Sequence, residues 1–160
     1  MLFKNNCYIE KEDCFNETKP YLKNLNYLNE KGFSTFSSQP GHDLSHYDKN
    51  EHSYLYGYGY ISGYVKLNDY KLLNEIISLS VKYLVIIQNV VIYQGRVQRF
   101  NQIPKYVIGN QTGNDLKVET PLFLHTHTFP AMYQNHYYVL IQAVKIGLSN
   151  IFEDVVNAIH

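Results

Sequence analysis

Residues 54–65, YLYGYGYISGYV, constrain the fold more than any other stretch because tyrosine recurs there at every second position. Successive side chains of a β-strand point to opposite faces, so the pattern predicts a strand with five phenol rings on one face. These rings belong to Tyr54, Tyr56, Tyr58, Tyr60 and Tyr64. The other face carries Gly57, Gly59 and Gly63, whose missing side chains allow a helix, a second backbone or a ligand to approach closely.

The segment before this strand predicts a helix, a strand and a turn. Thr18 is a suitable helix cap, and leucines follow at helical spacing until Gly32, which is typical of a helix end. Residues 33–37 then alternate like a strand whose inner face carries positions 33, 35 and 37. The sequence Ser37-Ser38-Gln39-Pro40-Gly41 has the chemistry of a turn, because proline has a restricted φ and glycine accepts a positive one.

The remaining chain continues to mix helices and strands. Asn68 is predicted to cap a helix with an apolar stripe formed by Leu72, Leu73, Ile76, Ile77 and Val81. Residues 83–93 predict either one central strand or two strands around Gln88-Asn89, and 95–120 predict short strands or a long loop. Further strands are expected at 2–9, 121–129 and 137–145, and a last helix begins after Asn150. The predicted class is α/β (or α+β), a single mixed β-sheet with about three helices packed on it.

Composition narrows the range of partners. The chain has 160 residues, which predicts one domain over 1-160. Charged residues make up 18% and the formal net charge is zero, so we expect no duplex nucleic acid as partner. No apolar run has the length of a membrane span, and we expect no membrane association. The two cysteines, Cys7 and Cys14, without a recognisable secretory leader, indicate a reduced, cytoplasmic protein.

The pattern LNYLNEKGFSTFSSQPG, followed by a variable stretch and then by YGYGYISGYV, resembles an uncharacterised bacterial and phage domain family. Members of that family carry a leucine-rich helix, a GF-T-SQPG turn and a YVSGFV-like strand, and they end in a strand and a helix. The resemblance covers residues 21–65, and Tyr56-Gly57-Tyr58 stands where the family often has Gln-Arg. No activity is established for that family, so the resemblance marks a motif and implies no function.

Several residue types suit a phosphorylated, planar ligand. The two arginines Arg96 and Arg99 are candidates for phosphate, which guanidinium binds bidentately, and the alternative is a solvated strand face. Tyrosine rings stack on bases, although the same rings equally suit a covered sheet face or a dimer interface. The turn offers hydroxyl, amide and backbone donors. The predicted ligand-binding residues are Ser38, Gln39, Gly41, Tyr56, Tyr58, Tyr60, Arg96, Arg99, His125 and His127.

The histidines support an alternative. His125 and His127 alternate on a predicted strand and so share a face, and His42 and His46 lie four apart in a predicted loop. Imidazole pairs of this kind bind zinc or act as acid and base in phosphodiesterases. The segment His125-Thr126-His127-Thr128-Phe129 resembles the His-x-Thr motif of two-histidine phosphodiesterases, but the second copy that these enzymes require is missing. Solvated or hydrogen-bonded histidines explain the pattern as well.

The favoured hypothesis is a protein that binds a small nucleotide-like ligand without turnover, because aromatic faces are plentiful and specific catalytic motifs are absent. Phage-encoded proteins of similar size that sequester nucleotide signals provide an analogy for such a role. We expect no cofactor and no resident metal, and the hypothesis includes a homo-oligomer. The alternatives are a histidine- or metal-assisted phosphodiesterase and a structural or protein-interaction module.

Overall fold

The computed structural model describes residues 19–41, 58–101 and 133–160 in full, together with the backbone of four short strands outside these ranges. The helices among these residues are α1 (Leu22–Glu30), α2 (Tyr70–Ser78) and α3 (Ile151–Ala158). The strands are β1 (Phe3–Lys4), β2 (Cys7–Tyr8), β3 (Ser34–Gln39), β4 (Tyr58–Lys66), β5 (Leu84–Ile87), β6 (Val90–Tyr93), β7 (Arg96–Arg99), β8 (Tyr106–Val107), β9 (Thr120–Pro121) and β10 (His136–Ile146).

Six of the strands form one sheet in the order β3-β4-β10-β5-β6-β7. With its three helices this sheet confirms the α+β alternative, but every pairing in it is antiparallel, which corrects the expected mixed sheet. For β5–β6 and β6–β7 the physical reason is visible in the hairpins, because two-residue turns at Gln88-Asn89 and Gln94-Gly95 reverse the chain and allow only antiparallel neighbours. Of the two alternatives for residues 83–93, two strands around a turn is therefore the observed one.

Helix α1 forms where its leucines predicted it. A 3₁₀ turn at Lys19–Tyr21 precedes it, and Gly32 follows it with a φ of 101°, a left-handed conformation that favours glycine. The buried Asn29 ties the end of the helix to β3, since its Nδ2 donates to Thr35 Oγ1 at 2.8 Å and its Oδ1 accepts from the Thr35 backbone N–H at 3.2 Å. These bonds fix α1 to β3, which the sequence analysis predicted only as consecutive elements.

Helix α2 differs from its prediction at both ends. The cap is Asp69 rather than Asn68, because the Asp69 carboxylate accepts the Leu72 backbone N–H at 3.2 Å. Ile77 and Val81, expected in the buried stripe, are 36% and 75% exposed. The helix changes at Leu79–Val81 into a 3₁₀ turn, whose shorter period buries Leu79 and rotates Val81 outward.

Helix α3 begins after Asn150 as predicted, and one side of it is buried in the core. The buried residues are Ile151, Phe152, Val155 and Ile159, while Val156 is only half-buried. All three helices contribute to one cluster of buried residues on one face of the sheet. Among the described residues, no helix combines the length and the apolar character that crossing a bilayer requires.

The opposite face of the sheet has a second buried cluster that consists of strand residues: Tyr60, Leu84, Ile86, Val91, Tyr93 and Leu140. Strand β4 separates the two clusters, because Ile61 and Val65 face the helices whereas Tyr60 faces away from them. The alternation predicted for this strand is thus confirmed from Tyr58 onward, and residues 54–57 lie outside the described part.

Candidate functional site

The predicted Ser37–Gly41 turn is in fact mainly strand. Ser38 lies opposite Ile61 and Gln39 opposite Tyr60 in the β3–β4 ladder, and the Gln39 amide donates to the Tyr58 carbonyl at 2.7 Å. The backbone ladder and this side-chain bond keep β3 extended through Gln39, and only Gly41, with a φ of 94°, has turn geometry. Ser38 and Gln39 are therefore brought next to the tyrosine strand, as expected, but as strand residues.

A bulge between Thr35 and Ser37 changes which β3 side chains face the tyrosines. Phe36 stacks on Tyr64 with ring centroids 5.2 Å apart, and the Ser37 hydroxyl lies 2.6 Å from the Tyr60 hydroxyl. Positions 33, 35 and 37 consequently do not share one face, because the extra residue of the bulge interrupts the two-residue period.

The predicted tyrosines lie inside the protein. Tyr58 and Tyr60 are 5% and 3% exposed, and Tyr64 stacks on Tyr133 at 4.3 Å. Burial raises the pKa of Tyr64 and that of Tyr133, so both phenols stay neutral at physiological pH. In the described part of the chain these rings pack against each other and against β3, and no open surface of theirs is available for stacking a ligand.

The two arginines do not form a joint site. Arg96 lies opposite Tyr93 and Arg99 opposite Val90, so their side chains leave β7 on different faces of the sheet. Strand β7 is also five strands away from β3, which is roughly 24 Å at about 4.8 Å per strand. The structure thus separates the arginines from Ser38 and Gln39.

The remaining predicted residues, Tyr56, His125 and His127, lie outside the described residues, as do His42 and His46 of the phosphodiesterase alternative. Within the ranges that the structure describes, no three His, Cys, Asp or Glu side chains are grouped so that they could hold a metal ion. The histidine hypothesis therefore remains a prediction.

A cavity of about 590 Å³ opens at one end of the sheet, between elements that the sequence analysis did not connect. Strands β10 and β5 pair from Val139 to Gln142, the partner of Leu84 at the start of β5, and β10 continues beyond this pair to Ile146. Residues 81–83, which precede β5, and residues 143–150 line the cavity, and 93–94 close it from the side of β6. The volume falls within the range of ordinary small-molecule sites, roughly 300–1,000 Å³.

The lining combines cations, aromatic rings and amides. Lys82 and Lys145 are the charged residues of the lining, and none of the described residues that line the cavity is an aspartate or a glutamate. Tyr83 and Tyr93 provide largely buried rings, while Gln94 and Asn150 provide exposed amides. Such a surface attracts an anion and can pack against a flat group.

One wall of the cavity is fixed by Asp154 of α3. Its Oδ2 accepts from Lys82 Nζ at 2.8 Å and from the Tyr83 hydroxyl at 2.5 Å. Burial would raise the pKa of the Asp154 carboxyl, but the bonds from Lys82 and Tyr83 outweigh it and lower that pKa. Burial first, and then Asp154, raise the pKa of the Tyr83 phenol well above its usual range. The group is thus an ionised carboxylate held between a cation and a neutral phenol.

The end of the predicted Ser37–Gly41 turn contacts the lining segment 147–149 of this cavity. The Pro40 carbonyl accepts the Ser149 backbone N–H at 3.0 Å and the Ser149 hydroxyl at 3.2 Å, and the α-carbon of Gly41 lies against the Gly147 carbonyl. At the other side, Arg96 is the cross-strand partner of the lining residue Tyr93. Of the predicted residues, Gly41 and Arg96 thus lie next to lining residues without lining the cavity themselves. The lining residues carry no local sequence signal, since isolated lysines at strand ends are common.

In comparisons with known proteins, no family model, no curated protein and no solved structure matches the chain. The resemblance noted for residues 21–65 accordingly stays a prediction.

Proposed function

We propose that the protein binds a small, planar, phosphorylated molecule of the nucleotide type in the cavity between the end of β10 and the segment that precedes β5. The observation that carries this proposal is the charge of the lining, whose charged described residues are both lysines: Lys82, which is paired with Asp154 behind the lining, and Lys145, which has no ion-pair partner among the described residues. A concave surface with one sign of charge concentrates ligands of the opposite sign. Phosphate is the anionic group that such lysines commonly bind as point charges.

The other lining residues suit the non-ionic part of a nucleotide. Tyr93, which belongs to the second cluster, lines the cavity at the end of β6, and we propose that its ring packs against a base. Gln94 and Asn150 carry both donors and acceptors, which is what hydrogen bonding to base or ribose edges requires. The aliphatic side chains of Ile146 and Leu148 add apolar surface at the rim.

The proposal specifies binding rather than turnover. The lining holds no pair of acid and base groups such as two carboxylates or a histidine with a carboxylate, and its described ionisable residues are lysines and tyrosines. Burial and Asp154 keep the Tyr83 phenol protonated by raising its pKa. A ligand bound here is expected to leave the protein unchanged.

The test is a thermal-shift screen against linear and cyclic purine and pyrimidine nucleotides, followed by recovery of the ligand after denaturation. We expect at least one nucleotide to raise Tm and to be recovered intact. Lys145→Gln should abolish most of that shift, whereas Lys23→Gln, which changes an exposed lysine of α1, should retain it.

Two results would contradict the proposal. The first is that no nucleotide changes Tm at millimolar concentration. The second is that the Lys145→Gln protein shows the same ligand-induced shift as the wild type and the Lys23→Gln control. Recovery of a degraded ligand would instead support the phosphodiesterase alternative.

A further inference from the structure

We infer that the cavity selects a ligand whose bound phosphate carries a single negative charge, a phosphodiester such as that of a cyclic nucleotide, over a phosphomonoester dianion. This inference rests on the proposed function, because it specifies the ligand of the same cavity. It makes Asp154, which lies behind the lining, a residue that determines specificity.

The first observation is that Lys82 is already paired. Its Nζ lies 2.8 Å from Asp154 Oδ2, and the Tyr83 hydroxyl donates to the same oxygen at 2.5 Å. The two donors hold the carboxylate in place and in its ionised form. The charges of Lys82 and Asp154 add up to zero, so this pair presents a hydrogen-bond donor to the cavity but little net charge.

The second observation is that Lys145 has no such counter-ion among the residues that the structure describes. In the part of the chain that the structure describes, the ion pairs are Lys71 with Glu75 and Lys82 with Asp154. The lining and its immediate support therefore contribute one uncompensated positive charge. Arg96, the nearest other cation in the β6–β7 hairpin, is not part of the lining.

Charge matching then distinguishes between the two phosphate classes. A monoanionic diester neutralises Lys145 and leaves the occupied cavity without net charge. A dianionic monoester leaves one negative charge over, and the Asp154 carboxylate beside the cavity repels that charge. The diester should accordingly bind more tightly than the monoester of the same nucleoside.

The experiment compares 3′,5′-cyclic AMP with AMP, and cyclic GMP with GMP, by isothermal titration calorimetry of the full chain. A pH of about 7.5 keeps the monoesters mostly dianionic, because the second pKa of such a phosphate is about 6. For wild type we expect the smaller Kd for the cyclic member of at least one pair. In Asp154→Asn the Lys82 charge is no longer cancelled, so binding of the linear member should improve relative to the cyclic one by about fivefold or more.

The double variant Lys82→Gln/Asp154→Asn provides the matched control, because it removes one charge of each sign and leaves the net charge of the cavity as in wild type. It should keep the wild-type preference for the cyclic nucleotide. Circular dichroism and the melting curve of each variant confirm that the fold is retained, and the wild-type comparison of cyclic and linear nucleotides tests the inference even if Asp154→Asn proves unstable.

The inference is overturned if wild type binds AMP and GMP at least as tightly as their cyclic forms, or if Asp154→Asn changes both members of a pair equally. Either result leaves the proposed nucleotide site intact. Absence of binding by all four nucleotides, in contrast, overturns the proposed function and this inference together.

Discussion

The backbone of Gly59 lies against that of Pro40 so closely that a β-carbon on Gly59 would come within 2.7 Å of the Pro40 carbonyl oxygen. The Ser149 hydroxyl, 2.5 Å from the same position, closes the other side. Glycine is therefore required here by space rather than by dihedral angle. The contact joins β3, β4 and the segment before α3, which are the elements that support one wall of the cavity.

Gly59→Val is expected to destabilise the protein strongly. Overpacking of a buried site costs roughly 1–3 kcal/mol, and the neighbour here is backbone, which yields little. Urea unfolding measures the loss. The control is Gly95→Asn in the β6–β7 turn, where nothing lies within 4 Å and asparagine tolerates the φ of 76°. A Gly59→Val protein that unfolds at the wild-type midpoint would show that this face of β4 is open.

Tyr60→Phe should reduce stability and leave ligand binding unchanged. Removing the hydroxyl breaks the 2.6 Å bond to Ser37 Oγ, and a hydrogen bond of this kind contributes about 0.5–1.5 kcal/mol. Tyr60 does not line the cavity, so the Kd for a nucleotide should stay as in wild type.

Chemical denaturation and calorimetry on the same Tyr60→Phe preparation check both parts of this prediction. Tyr70→Phe on the exposed side of α2 serves as the matched control, with no effect expected on either quantity. Weaker nucleotide binding by Tyr60→Phe at unchanged stability would restore the tyrosine face as the binding surface.

His136 is expected to make stability depend on pH. Burial first, and then the positive charge of its cross-strand partner Lys66, lower the pKa of the imidazole, and its Nδ1 is buried without a hydrogen-bond partner. Because the pKa is lower in the folded state, the unfolded chain binds more protons just below the ordinary value of about 6.5. The stability that the neutral His136 contributes is thus fully present above about pH 6.5, and it is lost as the pH falls through the folded-state pKa of His136.

The measurement is the free energy of unfolding at several pH values between about 5 and 8, a range that spans the ordinary histidine pKa. His136→Phe should flatten the profile on its acidic side, whereas His160→Gln, at an exposed histidine, should not. Identical profiles for wild type and His136→Phe would mean that His136 is solvated in the native state.

Elements with a strong local period were the predictable part of the fold. Helix α1 and strands β4 and β10 lie where leucine spacing, tyrosine alternation and an apolar run placed them. Errors arose where a tertiary contact overrode the local pattern. The ladder between Gln39 and Tyr60 extended β3 through the predicted turn, and the 3₁₀ turn at Leu79 moved Val81 to the surface.

The candidate site shows the same division. The segment around Gln39 and Gly41 was recognisable because turn-forming residues and alternating tyrosines stand out in a short window. The cavity itself was not, since Lys82 and Lys145 lie far apart in the chain and neither is part of a motif.

The type of most helices and strands, the placement of tyrosines and glycines on opposite faces of β4, and the net charge of zero can be read from the amino-acid sequence alone. These are properties of a few neighbouring residues or of composition. Tertiary packing places β3 and β7 at opposite edges of the sheet, which separates Ser38 from Arg99, and it brings the end of β10 beside residues 81–83 to form a cavity. Strand order and strand separation depend on which distant segments bury each other's apolar faces, and that balance is settled by packing of the whole chain.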